Sequence, residues 1–278
     1  MQPLASIPSP SSNSISLGPL DFRAYGIAIA FGVLAAVWIT QLRWAERGHD
    51  PEQISNVALL AVPFGVVGGR LYHVITDNQR FRGQWLEAFK IWEGGLGVWG
   101  AVAAGAVGAL IAARRANLSV PDLFYATAPA IPVAQGIGRL GNWFNQELFG
   151  RPTDVPWALE IDESHRPTGF ENDALFHPTF LYEMLWNFGV AAVVIWVVPK
   201  VLPRLRTGYQ FAVYVALYTL GRLWIELLRI DSANEILGQR LNVWTSLIVG
   251  GIATALVIMN RNGLDDTVGS DPVSSPTR

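Results

Sequence analysis

"YVALYTLGRLWIELLR", Tyr214 to Arg229, sets three charged side chains inside an apolar run. Tyr214, Tyr218, Arg222, Glu226 and Arg229 follow one another at intervals of four, four, four and three, so a helix carries all five on one face. The other faces are Leu, Val, Ala, Ile and Trp. A charge within a bilayer span costs at least a few kcal/mol and normally faces a cavity or a partner. One reading is an internal Arg222–Glu226 ion pair that only neutralises itself. The other is a site, because buried ion pairs seldom repay their desolvation and usually persist for another reason.

The rest of the chain favours a membrane setting. Of 278 residues, 51% are hydrophobic and 15% charged, and eleven are tryptophan, which is too apolar for an ordinary soluble domain. Net charge is -2 with no long basic run, so no nucleic-acid partner is expected. Cysteine is absent, which excludes disulfides, thiolate metal sites and a cysteine nucleophile from this chain. Three of the four histidines, His49, His73 and His165, show no pairing at ligand spacing, so neither a metal nor another cofactor is expected.

About 20 mostly apolar residues cross a bilayer core. The candidate spans are 24-42, 54-75, 95-113, 122-137, 179-199, 209-228 and 241-259. The fold class expected is an all-α polytopic membrane protein with seven transmembrane helices and a small extracytoplasmic head between spans four and five, at 151-176. Residues 1-20 read as a flexible tail, 21-259 as the membrane domain and 260-278, polar and rich in Ser, Pro and Asp, as a disordered tail. Arg114 and Arg115, then Lys200, Arg204 and Arg206, sit in short loops without nearby carboxylates. By the positive-inside rule those loops are cytoplasmic, the N-terminus outside and the C-terminus cytoplasmic. Arg43 and Arg47 agree; Arg80, Arg82 and Lys90 run against it, accompanied by Asp77, Glu87 and Glu93.

Small residues at Gly97, Ala101, Gly105, Ala109 and Ala113 of the third span predict close helix packing. Pro129 and Pro132 predict that the fourth span kinks or breaks near its outer end, since proline removes backbone bonds. Just beyond stands "GRLGNWFNQELFG", Gly138 to Gly150, with an arginine, two asparagines, a glutamine and a glutamate in thirteen residues. A guanidinium stays charged and its fork matches two phosphate oxygens, so two arginines in one pocket suit a phosphodiester. In a membrane that is a phospholipid. Asn142, Asn145 and Gln146 can add uncharged donors, and Glu147 can orient an arginine or bind a hydroxyl.

The stretch Gly138–Gly150 closely resembles the signature of bacterial prolipoprotein diacylglyceryl transferases, approximately G-R-x-G-N-F-x-N-x-E-x-x-G. "FRAYG" at 22-26, "GGRLYHVI" at 68-75, "WEGGLGVWGA" at 92-101, "HPTFLYE" at 177-183 and the Tyr-Tyr-Arg-Glu-Arg face follow in the same order. The resemblance implies a multi-pass bacterial inner-membrane enzyme. Such an enzyme moves the diacylglyceryl group of phosphatidylglycerol onto the lipobox cysteine thiol of a prolipoprotein signal peptide, forming a thioether and releasing glycerol phosphate. Its partners would be that lipid and that precursor. The resemblance makes Arg139 and Arg222 the catalytic pair and places Tyr25, Asn142, Glu147, Gly150, Tyr218 and Glu226 among the substrate-binding residues. Arg70, a charge within the second span after Gly68 and Gly69, is either interfacial or a further substrate-binding residue. His177 is expected to be structural. Many relatives carry a histidine, assigned as a base, where this chain has Trp99, and indole cannot accept a proton.

A transporter or channel for a small anionic solute is the alternative, since broken helices and intramembrane charges also line solute pathways. A retinal-type receptor lacks its intramembrane lysine, Lys90 and Lys200 both lying near loops. No Gly-x-Ser-x-Gly pattern supports a serine hydrolase.

Overall fold

A computed structural model describes residues 6–17, 20–90, 95–233 and 235–263. Among them are seven helices: α1 (Ala24–Ala45), α2 (Glu52–Thr76), α3 (Val98–Arg115), α4 (Val120–Phe144), α5 (Thr179–Val201), α6 (Gln210–Glu226) and α7 (Leu241–Asn260). Five of these, α1, α2, α3, α5 and α7, are long and apolar enough to cross a membrane. α6 is short, at 17 residues, and both it and α4 carry polar groups in otherwise apolar surroundings. Many large apolar side chains on the long helices are exposed, including Phe31, Leu34, Trp38, Leu59, Val67 and Ile252, as lipid-facing helices require.

The sequence reading of the fourth span needs correction. α4 runs without interruption from Val120 to Phe144, through both prolines. Proline forfeits its own N–H bond, but its fixed φ is compatible with a helix, and Pro129 and Pro132 are fully buried where packing holds the turn. The polar signature therefore begins on a helix, and the chain leaves the helix only after Phe144. There Gln146 and Leu148 adopt left-handed backbone angles, with φ of 50° and 60°. α5 contains a π-helical turn at Val193–Val197.

Strands are short. β1 (Ser14–Leu17) pairs antiparallel with β2 (Leu20–Arg23), β3 (Leu159–Glu160) with β4 (Leu175–Phe176), and β5 (Glu235–Ile236) with β6 (Gln239–Arg240). β3 and β4 both lie in the 151-176 segment. The N-terminal segment joins it: the Ile7 N–H donates to the Ala158 carbonyl at 2.8 Å, and the Glu160 N–H donates to the Ile7 carbonyl at 2.9 Å. The Trp143 indole donates to the Pro8 carbonyl at 3.1 Å. Beneath these strands Phe149, Leu159, Ile161, Phe176 and Phe180 form a buried cluster with Leu140, Trp143 and Ile230 against it. The polar C-terminal stretch lies outside the described residues from 264 onward.

The chain divides into two compact units, Val37–Ala126 and the remainder. In the first, α2 and α3 pack through glycine. A Cβ on Gly68 would lie 2.6 Å from the Gly100 carbonyl oxygen and 2.2 Å from the Ala104 methyl, so the two backbones meet where side chains would separate them. The other end of this unit buries Trp44, Ile54, Ala113, Leu123 and Ala126 together.

Candidate active site

The second unit gathers charge at the ends of four helices. Arg139 lies in the last turns of α4, Glu183 in the first turns of α5, Arg222 and Glu226 at the end of α6, and Arg240 immediately before α7. Arg139 and Arg222, 83 positions apart in sequence, meet on one carboxylate. Arg139 Nη2 pairs with Glu183 Oε2, and Arg222 Nη1 donates to Glu183 Oε1 at 3.0 Å. The second end of the Arg222 fork, Nη2, lies 2.6 Å from Glu226 Oε2. Glu226 is 0% exposed and Glu183 almost fully buried.

The network continues past α6. Arg240 Nε donates to Glu226 Oε1 at 2.6 Å, and Asn242 Nδ2 donates to the same oxygen at 3.1 Å. Arg229 grips Asp231 through Nε at 2.6 Å and Nη2 at 2.8 Å, with its Nη1 3.9 Å from Glu226 Oε2. Burial alone would raise the Asp231 carboxyl, but hydrogen bonds and charge from Arg229 and Arg240 hold it below the ordinary carboxylate range. Four guanidiniums and three carboxylates make up this ion-paired set.

The signature residues attach to this network through α4. Arg139 and Asn142, three apart on one helix face, are joined by an Arg139 Nη1 hydrogen bond to Asn142 Oδ1 at 3.2 Å. Asn142 Nδ2 donates to Glu147 Oε1 at 2.8 Å, and Asn145 Nδ2 donates to the same oxygen at 3.1 Å. Glu147 thus orients the arginine through an asparagine. Gln146 goes elsewhere: its side chain exchanges two hydrogen bonds with Asp162. The left-handed angle at Gln146 turns it away from Asn142 toward the strands.

Tyr25, in the first turn of α1, packs on α4 at Gly141, where a Cβ would lie 2.3 Å from the ring. Any side chain at Gly141 would displace the ring from this face of α4. The Gly150 N–H donates to the His177 carbonyl at 2.9 Å, and Gly150 bridges to Arg229, tying the signature's end to the loops after α6 and before α5. Tyr218 stands one turn before Arg222 on α6, beside Tyr214, whose hydroxyl donates to Gln135 at 3.2 Å. His177 makes a 3.1 Å contact from Nδ1 to the Tyr182 hydroxyl, and burial lowers its pKa.

Arg70 belongs to the other unit. Its Nη2, Nε and Nη1 donate to the carbonyls of Glu87, Ala88 and Gly95 at 2.6, 2.7 and 3.1 Å, holding the segment between α2 and α3. Trp99 is exposed in the first turn of α3, and residues 92-94 of the stretch containing it fall outside the described residues.

Three members of the network, Glu183, Asp231 and Arg240, escaped sequence reasoning. Glu183 was detectable. It is a carboxylate inside an apolar span, the same signal that singled out Arg222 and Glu226. Asp231 and Arg240 sit in an ordinary polar loop, and only the fold brings them to Glu226.

Apolar helices with an arginine–carboxylate network closed at their ends mark a polytopic membrane protein. The chain belongs to the prolipoprotein diacylglyceryl transferase family, which matches residues 12–259. The phosphatidylglycerol–prolipoprotein diacylglyceryl transferase 2 of Streptomyces coelicolor is 53% identical over 264 residues, 93% of this chain and 83% of that protein. The enzyme of the same name, without the numeral, from Streptomyces griseus is 51% identical over 280 residues, 98% and 84% of the two chains. That of Bifidobacterium adolescentis is 44% identical over 270 residues, 92% and 80%. The apolar helices and this family make the chain a multi-pass bacterial membrane protein.

Proposed function

We propose that this protein transfers the diacylglyceryl group of phosphatidylglycerol to the lipobox cysteine thiol of a prolipoprotein. The observation that carries the reading, beside the family, is the meeting of Arg139 and Arg222 on Glu183. Sulfur attacks the glycerol carbon that bears the phosphate. The C–S bond forms, the C–O bond breaks with its electron pair on the phosphate oxygen, and the thiol proton leaves on the released glycerol phosphate. Charge grows on the leaving oxygen, and fixed donors at that point in a low-dielectric site lower the barrier most. Arg139 and Arg222 supply them.

Glu183 holds the two guanidiniums together while the lipid is absent, keeping like charges close without collapse. Asn142, Glu147, Tyr25, Gly150, Tyr218 and Glu226 shape the surrounding head-group site. Arg70, with three backbone carbonyls on its guanidinium, keeps the α2–α3 segment in place. A free thiol has a pKa near 8.5, so a few per cent is thiolate at neutral pH, and the arginine charge raises that fraction. No base at Trp99 is needed.

The same reading takes α4 and α6 as the two further spans, for seven in all. Their polar groups are paired within the protein, so neither helix presents an uncompensated charge to lipid. The positive-inside rule places the N-terminus outside, the C-terminus in the cytoplasm and the 151-176 segment as an outer head in a bacterial inner membrane. Purified protein incubated with phosphatidylglycerol and a lipobox peptide should yield the diacylglyceryl adduct by mass spectrometry. A serine-for-cysteine peptide should yield none. Absence of adduct from the cysteine peptide would refute the reading.

A further inference from the structure

Arg240 stands just before α7, at the positive end of the helix dipole, where a cation is disfavoured. Its fork is fully used. Besides Nε on Glu226, Nη1 donates to the Asp231 carbonyl at 2.7 Å and Nη2 to Asp231 Oδ2 at 3.1 Å. The β5–β6 hairpin sets its direction: Glu235 pairs with Arg240 across a tight turn in which Leu237 and Gly238 have φ of 52° and 73°.

The consequence falls on Arg222. Glu226 has two oxygens, and Arg240 with Asn242 occupies Oε1, leaving Oε2 for Arg222 Nη2. Arg222 is therefore held at one nitrogen by Glu226 and at the other by Glu183. A carboxylate with both oxygens available prefers to take a guanidinium through two parallel bonds. Without Arg240, Oε1 keeps only the neutral Asn242 amide, and Glu226 would turn to take Arg222 side-on and draw it from Glu183, and so from Arg139.

We infer that Arg240 is a positioning residue for diacylglyceryl transfer, acting through Glu226 to hold Arg222 beside Arg139. The inference rests on the transferase reading above. The effect is transmitted by Glu226, the carboxylate that Arg240 and Arg222 share.

The test is a kinetic cycle in phosphatidylglycerol nanodiscs with a lipobox peptide. Arg240→Gln should lower kcat about tenfold or more, while KM for phosphatidylglycerol changes by less than about threefold, because the loss lies in transition-state donors. Arg240→Lys restores the charge without the fork and should recover part of kcat. In a Glu226→Gln background, adding Arg240→Gln should cost less than about twofold, since the route is already cut. A merely structural arginine would cost the same in both backgrounds, and that additive result overturns the inference. So does a folded Arg240→Gln enzyme with wild-type kcat. If Arg240→Gln does not fold, Arg240→Lys and Asn242→Ala, measured in both backgrounds, decide by the same criterion. A wild-type protein that makes no adduct removes the transferase reading itself, a distinct outcome from additivity in an active enzyme.

Discussion

The α2–α3 pair and the α4–α5–α6 assembly solve the same problem by opposite means. α2 and α3 approach through Gly68 and Gly100, with backbone against backbone. At the ends of α4, α5 and α6, half-buried arginines meet buried carboxylates, and each has a partner. Dispersion between small residues is sufficient to hold helices in lipid. Ion pairs there are costly, and apolar replacements of such pairs are often neutral or stabilising. The proposed transfer chemistry accounts for that cost at the ends of α4, α5 and α6.

Substitutions should separate the two regions. Arg139→Ala and Arg222→Ala should each lower thioether formation by about 100-fold or more, as loss of one donor to a developing oxyanion does. Both should remain folded, as judged by monodispersity and helical circular dichroism. Gly68→Leu should do the reverse. It would force α2 from α3 and lower the yield of folded protein, while the specific activity of any folded fraction stays within about threefold, because the lost packing contributes no donor to the leaving oxygen. Equal specific-activity losses in both groups would erase the contrast.

Glu183→Gln comes next. It removes the charge shared by the two arginines and leaves their mutual repulsion, so an intermediate loss of about tenfold in kcat is expected. An unchanged kcat would mean that the arginines keep their places without it. Glu147→Gln should cost less, about threefold, because it acts on Arg139 only through Asn142. A larger loss than that of Glu183→Gln would reverse the order of influence.

The smallest effect concerns pH. Burial holds His177 below the ordinary histidine pKa, so it is neutral at neutral pH. The unfolded chain binds the proton more readily. The resulting stability is present above about pH 6.5 and is lost as pH falls through that value toward the folded pKa. His177→Gln should flatten part of the decline in melting temperature between pH 7 and pH 5, and should leave the alkaline rise of thioether formation unchanged. Loss of that rise would make His177 the thiol base.

Much of this architecture is legible in the sequence, for reasons the residues make plain. α1, α2, α3, α5 and α7 are near-continuous apolar runs of membrane length, a signal that needs no tertiary information. Arg222 and Glu226 stand out because charge is rare in such runs. The continuity of α4 was not legible, since proline's local penalty is evident in sequence while the burial that offsets it is not. The partners of Arg70 were equally hidden, since only the fold brings the carbonyls of Glu87, Ala88 and Gly95 to its guanidinium. Asp231 and Arg240 acquire meaning only when the β5–β6 hairpin returns the chain to Glu226.

The most direct measurement is lipid retention, read by native mass spectrometry of the protein released from nanodiscs holding equal phosphatidylglycerol and diacylglycerol. The two lipids share acyl chains and glycerol and differ in the phosphoglycerol group. The wild-type protein should retain phosphatidylglycerol preferentially, and the Arg139→Gln/Arg222→Gln protein should lose that preference while still carrying lipid. An undiminished preference in the double variant would contradict the claim that these two guanidiniums grip the phosphate.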